Sequence, residues 1–585
     1  MIKAFAASTV AILLSGSPTS AQTIYPIDRA EILAGAQFDF KVEFPDRVDP
    51  AKLKVTVNGT DYSTAFGQSG SFVDREDDKD QSALILRNVA LSRPGSVTVE
   101  VSDGTRSRSV VWTVYDTGPR KAKNVILFIG DGLSPAHRVA ARILSKGIAE
   151  GKSRGKLAID DMPHMALVAT AGSDSIITDS ANSASAYATG HKSAVNAVGV
   201  YADRTTSPFD DPRVETITSL AKRRLGLAVG IVTNTEIQDA TPAAMVAHTR
   251  RRGAYDEIVE QYFAARPDVL MGGGAANFLP QTAAGSKRKD AVDYIARFRD
   301  AGYQVAMTKS ELDASATKSD TRQLLGLFAT GNMDGVLDRK FLKGGGVKKF
   351  PEQPDLTEQV QAALNVLSRN GAGFFLMVES GMIDKYAHLL DMERAVYDTI
   401  MLDNAVRQTR DWARARGDDT LILVLADHNH SNSLVGITND DLGTTPSVAL
   451  RERIGVHAKA GFPNYPAPDA DGYPSRVDVS KRLAFSASRP DHYETLRPKL
   501  DNPNEPTVKG EQADRFKAND KHKDVSGVVP RVGNLPAMTG ASVHSGEDVI
   551  LTATGPGSER VRGSMENTEV FRVMADALGL AATGP

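Results

Sequence analysis

Five apolar runs, each closed by a polar or glycine-rich turn, constrain the fold of most of this chain. Strands made of such runs are buried on both faces, and helical patterns alternate with them along the chain. The runs are 125–129, 227–232, 269–271, 374–378 and 421–426, and the helical patterns include 214–224, 356–370 and 391–416. This alternation predicts an α/β fold with a mainly parallel central sheet flanked by helices.

The first hundred residues follow a different pattern. Apolar and polar residues alternate in 38–44, 53–57, 96–101 and 109–114, with turn residues between them. Short alternating strands at this spacing predict a small all-β immunoglobulin-like sandwich. We therefore divide the chain into a β-sandwich accessory domain at 22–116 and a catalytic domain at 117–585. A stretch at about 432–540 is rich in proline, asparagine and charge, and its segments 464–474, 501–506 and 512–523 have no clear period. It is predicted to be a long insertion over the site.

Residues 1–21 have the composition of an export signal. Lys3 precedes an apolar core at 4–14 that is too short to span a bilayer, and Thr19-Ser20-Ala21 is a small-residue cleavage site. The alternative is a buried N-terminal helix. Because no other segment is apolar enough to be a transmembrane segment, the protein is predicted to be periplasmic or secreted.

Composition limits the chemistry further. The net charge is −3, so charge offers no argument for nucleic-acid binding. The chain has no cysteine, and any transition metal must be held by His, Asp and Glu.

Carboxylates and imidazoles follow the predicted strands. In an open parallel sheet the ligand site lies beyond the carboxyl ends of the strands. Asp384 and His388 are four residues apart, so a helix would place both on one face. Singly, each residue has a structural explanation, such as a turn or a helix-surface pair. Together they form a set of ligands suited to Zn²⁺ and Mg²⁺, namely Asp131, Glu379, Asp384, His388, Asp427, His428, His430 and His544.

The stretch 178–190 is where we place the reaction. Thr178-Asp179-Ser180 is a polar turn before small helix-forming residues, and Gly190 is a C-terminal stop. On this stretch alone, a plain N-cap is the simpler interpretation. A helix N-terminus would also favour a serine that must carry negative charge. Two metals about 4 Å apart could activate such a serine, and an arginine from 250–252 could bind a phosphoryl group.

Six motifs in order resemble the alkaline phosphatase family. They span about 124 to 580 apart from the insertion, and they are Asn124 to Gly132, Thr178 to Ala181, Gln238 to Ala244, Val378 to His388, Ala426 to His430 and His544 to Gly546. The resemblance implies a metal-dependent phosphomonoesterase that hydrolyses phosphate monoesters through a phosphoserine intermediate.

The resemblance also assigns roles residue by residue. Ser180 is the nucleophile, and Arg252 binds phosphate and is oriented by Asp179. One zinc is held by Asp384, His388 and His544, and a second by Asp131, Asp427 and His428. A third metal, magnesium, is held by Asp131, Thr241 and Glu379. Asp239 and Lys385 form an outer pair, and His430 lies beside the first zinc. The resemblance suggests a homodimer.

Two other classes of function compete with this interpretation. A phosphodiesterase or sulfatase would share the two-zinc frame, but Glu379, Thr241 and Arg252 favour a monoesterase. A catalytically silent adhesion protein would bind through its sandwich and would not need Ser180. The insertion before His544 matches nothing in the family that we can name, so it leaves substrate preference and assembly open.

Overall fold

The computed structural model describes residues 22–443 and 450–581, so the predicted signal peptide at 1–21 lies outside the described residues. Within this part of the chain, residues up to Tyr115 form one compact unit and residues from Asp116 onward form another. None of the described helices is long and apolar enough to cross a bilayer.

The N-terminal unit consists of two small sheets. Alternation sends every second side chain inward, and Phe38, Phe40 and Trp112 pack edge to face in the core. One sheet has the strands Thr23–Tyr25, Gln37–Glu43, Ala83–Ala90 and Ser71–Val73, and the other has Glu31–Leu33, Ser107–Tyr115, Gly95–Ser102, Lys54–Val57 and Thr60–Asp61. The four predicted strands are therefore confirmed to within two residues.

A ten-stranded sheet forms the centre of the second unit. All five apolar runs are strands in it, and only Val549–Thr554 runs against the others. The prediction of a mainly parallel sheet is confirmed. In spatial order the strands are Gln304–Ala306, Leu324–Leu327, Val269–Gly273, Ala228–Glu236, Phe374–Ser380, Asn124–Gly130, Thr420–Leu425, Val549–Thr554, His164–Ala169 and Arg562–Glu566.

Helices accompany this sheet, and their amphipathic faces supply buried apolar side chains to its core. The α-helices are Pro135–Lys146, Ser180–Thr189, Ile217–Leu225, Ala240–Ala244, Tyr255–Ala265, Tyr294–Asp300, Lys309–Thr317, Leu356–Leu367, Met382–His388, Met392–Arg414 and Asn567–Leu578. The three helices predicted from periodicity are present, with ends that differ from the predicted ones by at most three residues.

The sheet order places the predicted site at one edge. Asn124–Gly130 lies between Phe374–Ser380 and Thr420–Leu425, with Ile129 opposite both Glu379 and Leu425. Because these strands are parallel, the residues after them emerge side by side. Asp131, Asp384 and Asp427 are brought together in this way.

The insertion has more regular structure than its sequence indicates. A three-stranded sheet contains Asn432–Asn439, Ile454–Gly455 and Lys481–Ala487, and two short hairpin-like pairs are His492–Glu494 with Val529–Arg531 and Thr507–Lys509 with Phe516–Ala518. Of the strands named here, Phe516–Ala518 lies in a range predicted to have no clear period, 512–523. A strand of three residues is too short for a period-two signal to show.

One carboxyl group near the insertion makes stability depend on pH. Burial and the nearby Asp391 raise the pKa of Glu393 to about 7. A carboxyl whose pKa is raised by folding destabilises the folded state when it is ionised. This unfavourable free energy grows between about pH 4.5 and 7 and reaches its full value above pH 7. Glu393→Gln is therefore expected to raise the free energy of unfolding at pH 9 by about 1–2 kcal/mol and to change it little at pH 5. The figure at pH 9 is reduced from the full value of the pKa shift because Glu393 is partly exposed.

Thermal unfolding at the two pH values checks this expectation. A chelator in both samples prevents metal binding from adding its own pH dependence. Glu511→Gln is the matched control because Glu511 is an exposed carboxylate of the insertion. An equal gain for Glu393→Gln at both pH values would contradict the assignment.

Candidate active site

Two groups of metal-ligand side chains lie at the carboxyl edge of the central sheet. The first contains Asp131, Asp427 and His428, all buried, with ligand atoms within 4.8 Å of one another. His428 Nε2 lies 3.2 Å from Asp131 Oδ1 and 3.5 Å from Asp427 Oδ2. The backbone N–H groups of Gly132 and His428 donate to the other oxygen of Asp427. This carboxylate is therefore oriented before any ligand binds.

The second group contains Asp384, His388, His430 and His544. Asp384 Oδ1 lies 3.3 Å from His388 Nε2, 3.0 Å from His430 Nε2 and 3.5 Å from His544 Nε2. Asp384 and His388 share a face of the helix Met382–His388, as their spacing predicts. The other ring nitrogens of His388 and His544 bond to the carbonyls of Ser542 and Thr178 at 2.6 and 2.9 Å. Such outer partners fix the ring orientation of a ligating histidine.

Ser180 lies beside the first group. Its Oγ is 3.3 Å from His428 Nε2 and 3.5 Å from Asp131 Oδ2. It begins the helix Ser180–Thr189, where Asp179 is the N-cap and accepts from the N–H of Asn182. The N-cap interpretation of this stretch is confirmed, and the capped helix start is also the position of the candidate nucleophile.

Arg252 is held beside Ser180's N-cap by two carboxylates. Its guanidinium donates to Asp179 Oδ2 at 3.3 Å and to Asp239 Oδ1 at 2.9 Å. Lys385 Nζ lies 3.0 Å from Asp239 Oδ2 and 3.6 Å from Asp384 Oδ2. Asp239 thus links Arg252 to Lys385, which in turn reaches the second metal-ligand group. The family resemblance suggests the Asp179–Arg252 and Asp239–Lys385 pairs, and the structure brings all four side chains together.

Glu379 and Thr241 belong to neither group of ligands. Glu379 accepts hydrogen bonds from Thr233 and, at 3.1 Å, from Thr235. The Thr241 hydroxyl is buried, and no hydrogen-bond partner for it is found among the described residues. Glu379 lies close enough to Asp131 for its charge to help raise the pKa of that carboxyl.

The buried carboxylates in and beside the first group repel each other, because all of them carry negative charge. Burial and the nearby Asp384 and Asp427 raise the pKa of Asp131 well above its usual range. Burial, and then His544, lower the pKa of His428 well below its usual range. A bound cation would counter the first effect, because it stabilises a carboxylate, and would reinforce the second, because the imidazole that binds a cation is neutral.

The charges beside Arg252 are fixed instead. Burial opposes the charge on Asp239, but Lys385 and Arg252 lower the pKa of this carboxyl below its usual range. Burial also opposes the charge on Arg252, but Asp239 and Asp179 raise the pKa of its guanidinium above its usual range. The arginine is therefore an always-charged donor in a fixed position.

The donor set fits divalent metal ions. Asp131 Oδ1 and Asp427 Oδ2 are buried and accept no hydrogen bond from any described residue. Leaving such oxygens without a partner is costly unless a cation or water satisfies them. Two groups of carboxylate and imidazole ligands match the preferences of zinc.

Sequence reasoning missed several residues that build this edge. Ser183 Oγ donates to the carbonyl of Asp427 at 2.6 Å, and the Tyr187 hydroxyl donates to that of Ala426 at 2.8 Å. These side chains stand three and seven positions after Ser180, on the same helix face. Helical spacing from the nucleophile could have identified them. Thr233, Thr235 and Ser542 carry no such signal.

Comparison with known proteins identifies the family. The sequence model described as alkaline phosphatase matches residues 122–580, which include every site residue named above. The chain belongs to the alkaline phosphatase family. The alkaline phosphatase of Escherichia coli K12 is 34% identical over 370 residues, which are 57% of this chain and 75% of that protein. Streptomycin-6-phosphate phosphatase of Streptomyces griseus is 35% identical over 360 residues, 54% of this chain and 76% of that protein.

Solved structures agree on the fold of this alkaline phosphatase. That of Thermus thermophilus has a TM-score of 0.55 at 25% identity and covers 80% of this chain and 94% of its own. A variant of the TAB5 enzyme with magnesium bound in its M3 site has a TM-score of 0.52 at 21% identity. It covers 78% of this chain and 98% of its own. The protein is therefore a phosphomonoesterase of a metal-dependent family, and the family match begins after the N-terminal unit.

Proposed function

We propose that this alkaline phosphatase hydrolyses phosphate monoesters through a phosphoserine on Ser180. The observation that carries the proposal is the position of Ser180 Oγ, 3.3 Å from His428 Nε2 at the capped start of a helix. The Oγ attacks phosphorus, a new phosphorus–oxygen bond forms, and the bond to the alcohol breaks. Water then hydrolyses the phosphoserine, which returns Ser180 and releases inorganic phosphate.

The protein's own residues hold the phosphoryl group between Ser180 and Arg252. The two terminal guanidinium nitrogens of Arg252 bond to Asp179 and Asp239, and each keeps a second N–H that can donate to a phosphoryl oxygen. The helix N-terminus adds backbone dipoles that favour the charge of a phosphoserine. Asp179 therefore has two tasks, because it caps this helix and holds Arg252.

We assign each metal ion to the same ligand residues as the family resemblance does. Asp384, His388 and His544 would hold one zinc, with His430 bonded to Asp384. Asp131, Asp427 and His428 would hold the second zinc, and Asp131, Thr241 and Glu379 a magnesium. When bound, these ions would supply Lewis acidity that lowers the pKa of a coordinated hydroxyl and neutralises the leaving oxygen.

Other parts of the proposal rest on sequence patterns. The export signal at 1–21 supports secretion or a periplasmic location. The alternating strands before Tyr115 support an immunoglobulin-like accessory domain at 22–116, with 117–585 as the catalytic domain. A homodimer remains the assembly that the family resemblance suggests.

Arg252→Lys tests whether the enzyme is built for monoesters. Lysine keeps the charge but loses the bidentate fork, so kcat/KM for an aryl phosphate monoester is expected to fall about 10- to 100-fold. A diester has one charged oxygen fewer, so its slower hydrolysis should fall less. The measurement is steady-state kinetics on the monoester, diester and sulfate of one phenol.

Arg251→Lys is the matched control for this test, because Arg251 is the exposed neighbour of Arg252. Its kinetics should equal those of the wild type. A wild-type diester rate above the monoester rate would favour the phosphodiesterase alternative and sink the proposal.

A further inference from the structure

The long insertion at about 432–540 is closed at its base by two histidines of the second ligand group. The strand Asn429–His430 pairs antiparallel with His544–Ser545, and His430 stands opposite His544. In the next backbone hydrogen bond toward the insertion, the Ser431 N–H donates to the Val543 carbonyl at 3.1 Å. Because paired strands move together, the two ends of the insertion fix the separation of His430 and His544.

The end of the insertion also reaches a third member of the group. Ser542 donates its N–H to the His388 carbonyl at 2.9 Å, and its own carbonyl lies 2.6 Å from His388 Nδ1. One residue thus holds both the backbone and the ring of His388. The segment before it is fastened within the insertion, where Thr507 Oγ1 donates to the Gly540 carbonyl at 2.6 Å.

The middle of the insertion holds the chain directly after His388. Asn504 Nδ2 donates to the Leu389 carbonyl at 2.7 Å, and the Asn504 N–H donates to Asp391 Oδ2 at 2.9 Å. Arg394 Nη1, which also bonds to Asp391, donates to the Lys499 carbonyl at 2.6 Å. The helix Met382–His388 ends at this point, so Asn504 holds the C-terminal end of the element that carries Asp384 and His388.

We propose that the insertion is a brace that positions the second ligand group and slows the loss of its metal. The inference rests on the proposed metal-binding function. Three of the four group members are attached to the insertion or to its ends, and Asn504 is a positioning residue for the fourth, Asp384. A ligand set held before binding loses less freedom when the ion arrives and opens less often to release it.

Substitutions at Asn504 test the brace. Asn504→Ala removes the side-chain donor to Leu389, and Asn504→Asp is isosteric but replaces the donor with an acceptor. Each is expected to speed zinc release from the intact holoenzyme about fivefold, the ratio produced by the loss of one net hydrogen bond. Release is followed with a chelating dye, and turnover of zinc-saturated enzyme should change less than release does.

Asn464→Ala is the matched control. Asn464 is also an insertion asparagine with two side-chain hydrogen bonds, to Ser480 Oγ and from the Lys481 N–H, each 2.9 Å long. Both bonds stay within the insertion, so its zinc release should match the wild type. Thermal unfolding of the holoenzymes shows whether all three variants are folded.

Each outcome decides the question. Faster release for both Asn504 variants, with Asn464→Ala unchanged, supports the brace. Wild-type release rates in the folded Asn504 variants overturn it. Equally fast release from Asn464→Ala overturns the assignment of Asn504 as the positioning residue, because any loosening of the insertion would then suffice. Absence of bound zinc from the wild type contradicts the proposed metal function itself, which separates that failure from failure of the brace.

Discussion

Ser180→Ala is expected to lower kcat/KM for a phosphate monoester by at least ~10³-fold, since the variant has no atom that can form the phosphoserine. The Ser180 hydroxyl is buried at the start of its helix, beside His428 and Asp131. Alanine fits this space without disturbing the cap, which Asp179 provides. The loss should therefore appear in kcat, with the fold and the metal content unchanged.

The measurement combines kinetics with a chemical trap. Wild-type enzyme quenched in acid during turnover should give a peptide phosphorylated on Ser180, and the variant should not. Ser185→Ala is the control on the same helix, because Ser185 Oγ bonds to the backbone of Ala197 and Gly199 and not to a site residue. Turnover of Ser180→Ala at the wild-type rate would refute the phosphoserine mechanism.

Removal of bound metal is the second change with a large expected effect. Without a cation, burial and nearby negative charges hold the pKa values of Asp131 and Asp427 above their usual range. The first group therefore cannot keep both of its carboxyl groups ionised. Chelation should lower turnover by at least ~10³-fold and should also lower the melting temperature, because the ion binds only the folded chain. Added zinc should restore both.

The control is the same chelator already saturated with zinc, which should have no effect. Metal analysis before and after treatment links the loss to the ion. Activity that persists once the analysis finds no remaining metal would contradict the metal assignment. Fewer than two zinc ions per active chain would contradict the two-zinc part of it.

The brace gives the insertion a role that the family comparison does not supply. The motifs that carry the family resemblance lie on both sides of it, at 426–430 and 544–546, yet its own sequence has no motif that the resemblance could use. Its contacts with His388, Leu389 and Asp391 appear only in three dimensions. A long segment in this position therefore need not act on substrate to matter for catalysis.

Local sequence was enough to predict the architecture. Strand runs such as 125–129 and 421–426 are apolar throughout because both of their faces are covered, and that property can be read one segment at a time. The first and last residues of the helix after Asp179 could also be predicted from the sequence, since capping depends on neighbouring residues. The family motifs added the identity of the ligands, which periodicity could not supply.

The arrangement of the site was decided by tertiary structure. Thr233 and Thr235 bond to Glu379 from another strand, and Ser542 reaches His388 across more than 150 residues, at separations where a single sequence has no periodicity to follow. The shortest strands of the insertion were missed for another reason, because two or three residues are too few to show a period. The sequence by itself determined which residues could bind metal and phosphate, and where strands and helices form, because these depend on side-chain chemistry and local pattern. Only the folded chain decided which oxygens remain buried without partners and which segment holds the ligands in place, because both follow from packing between distant segments.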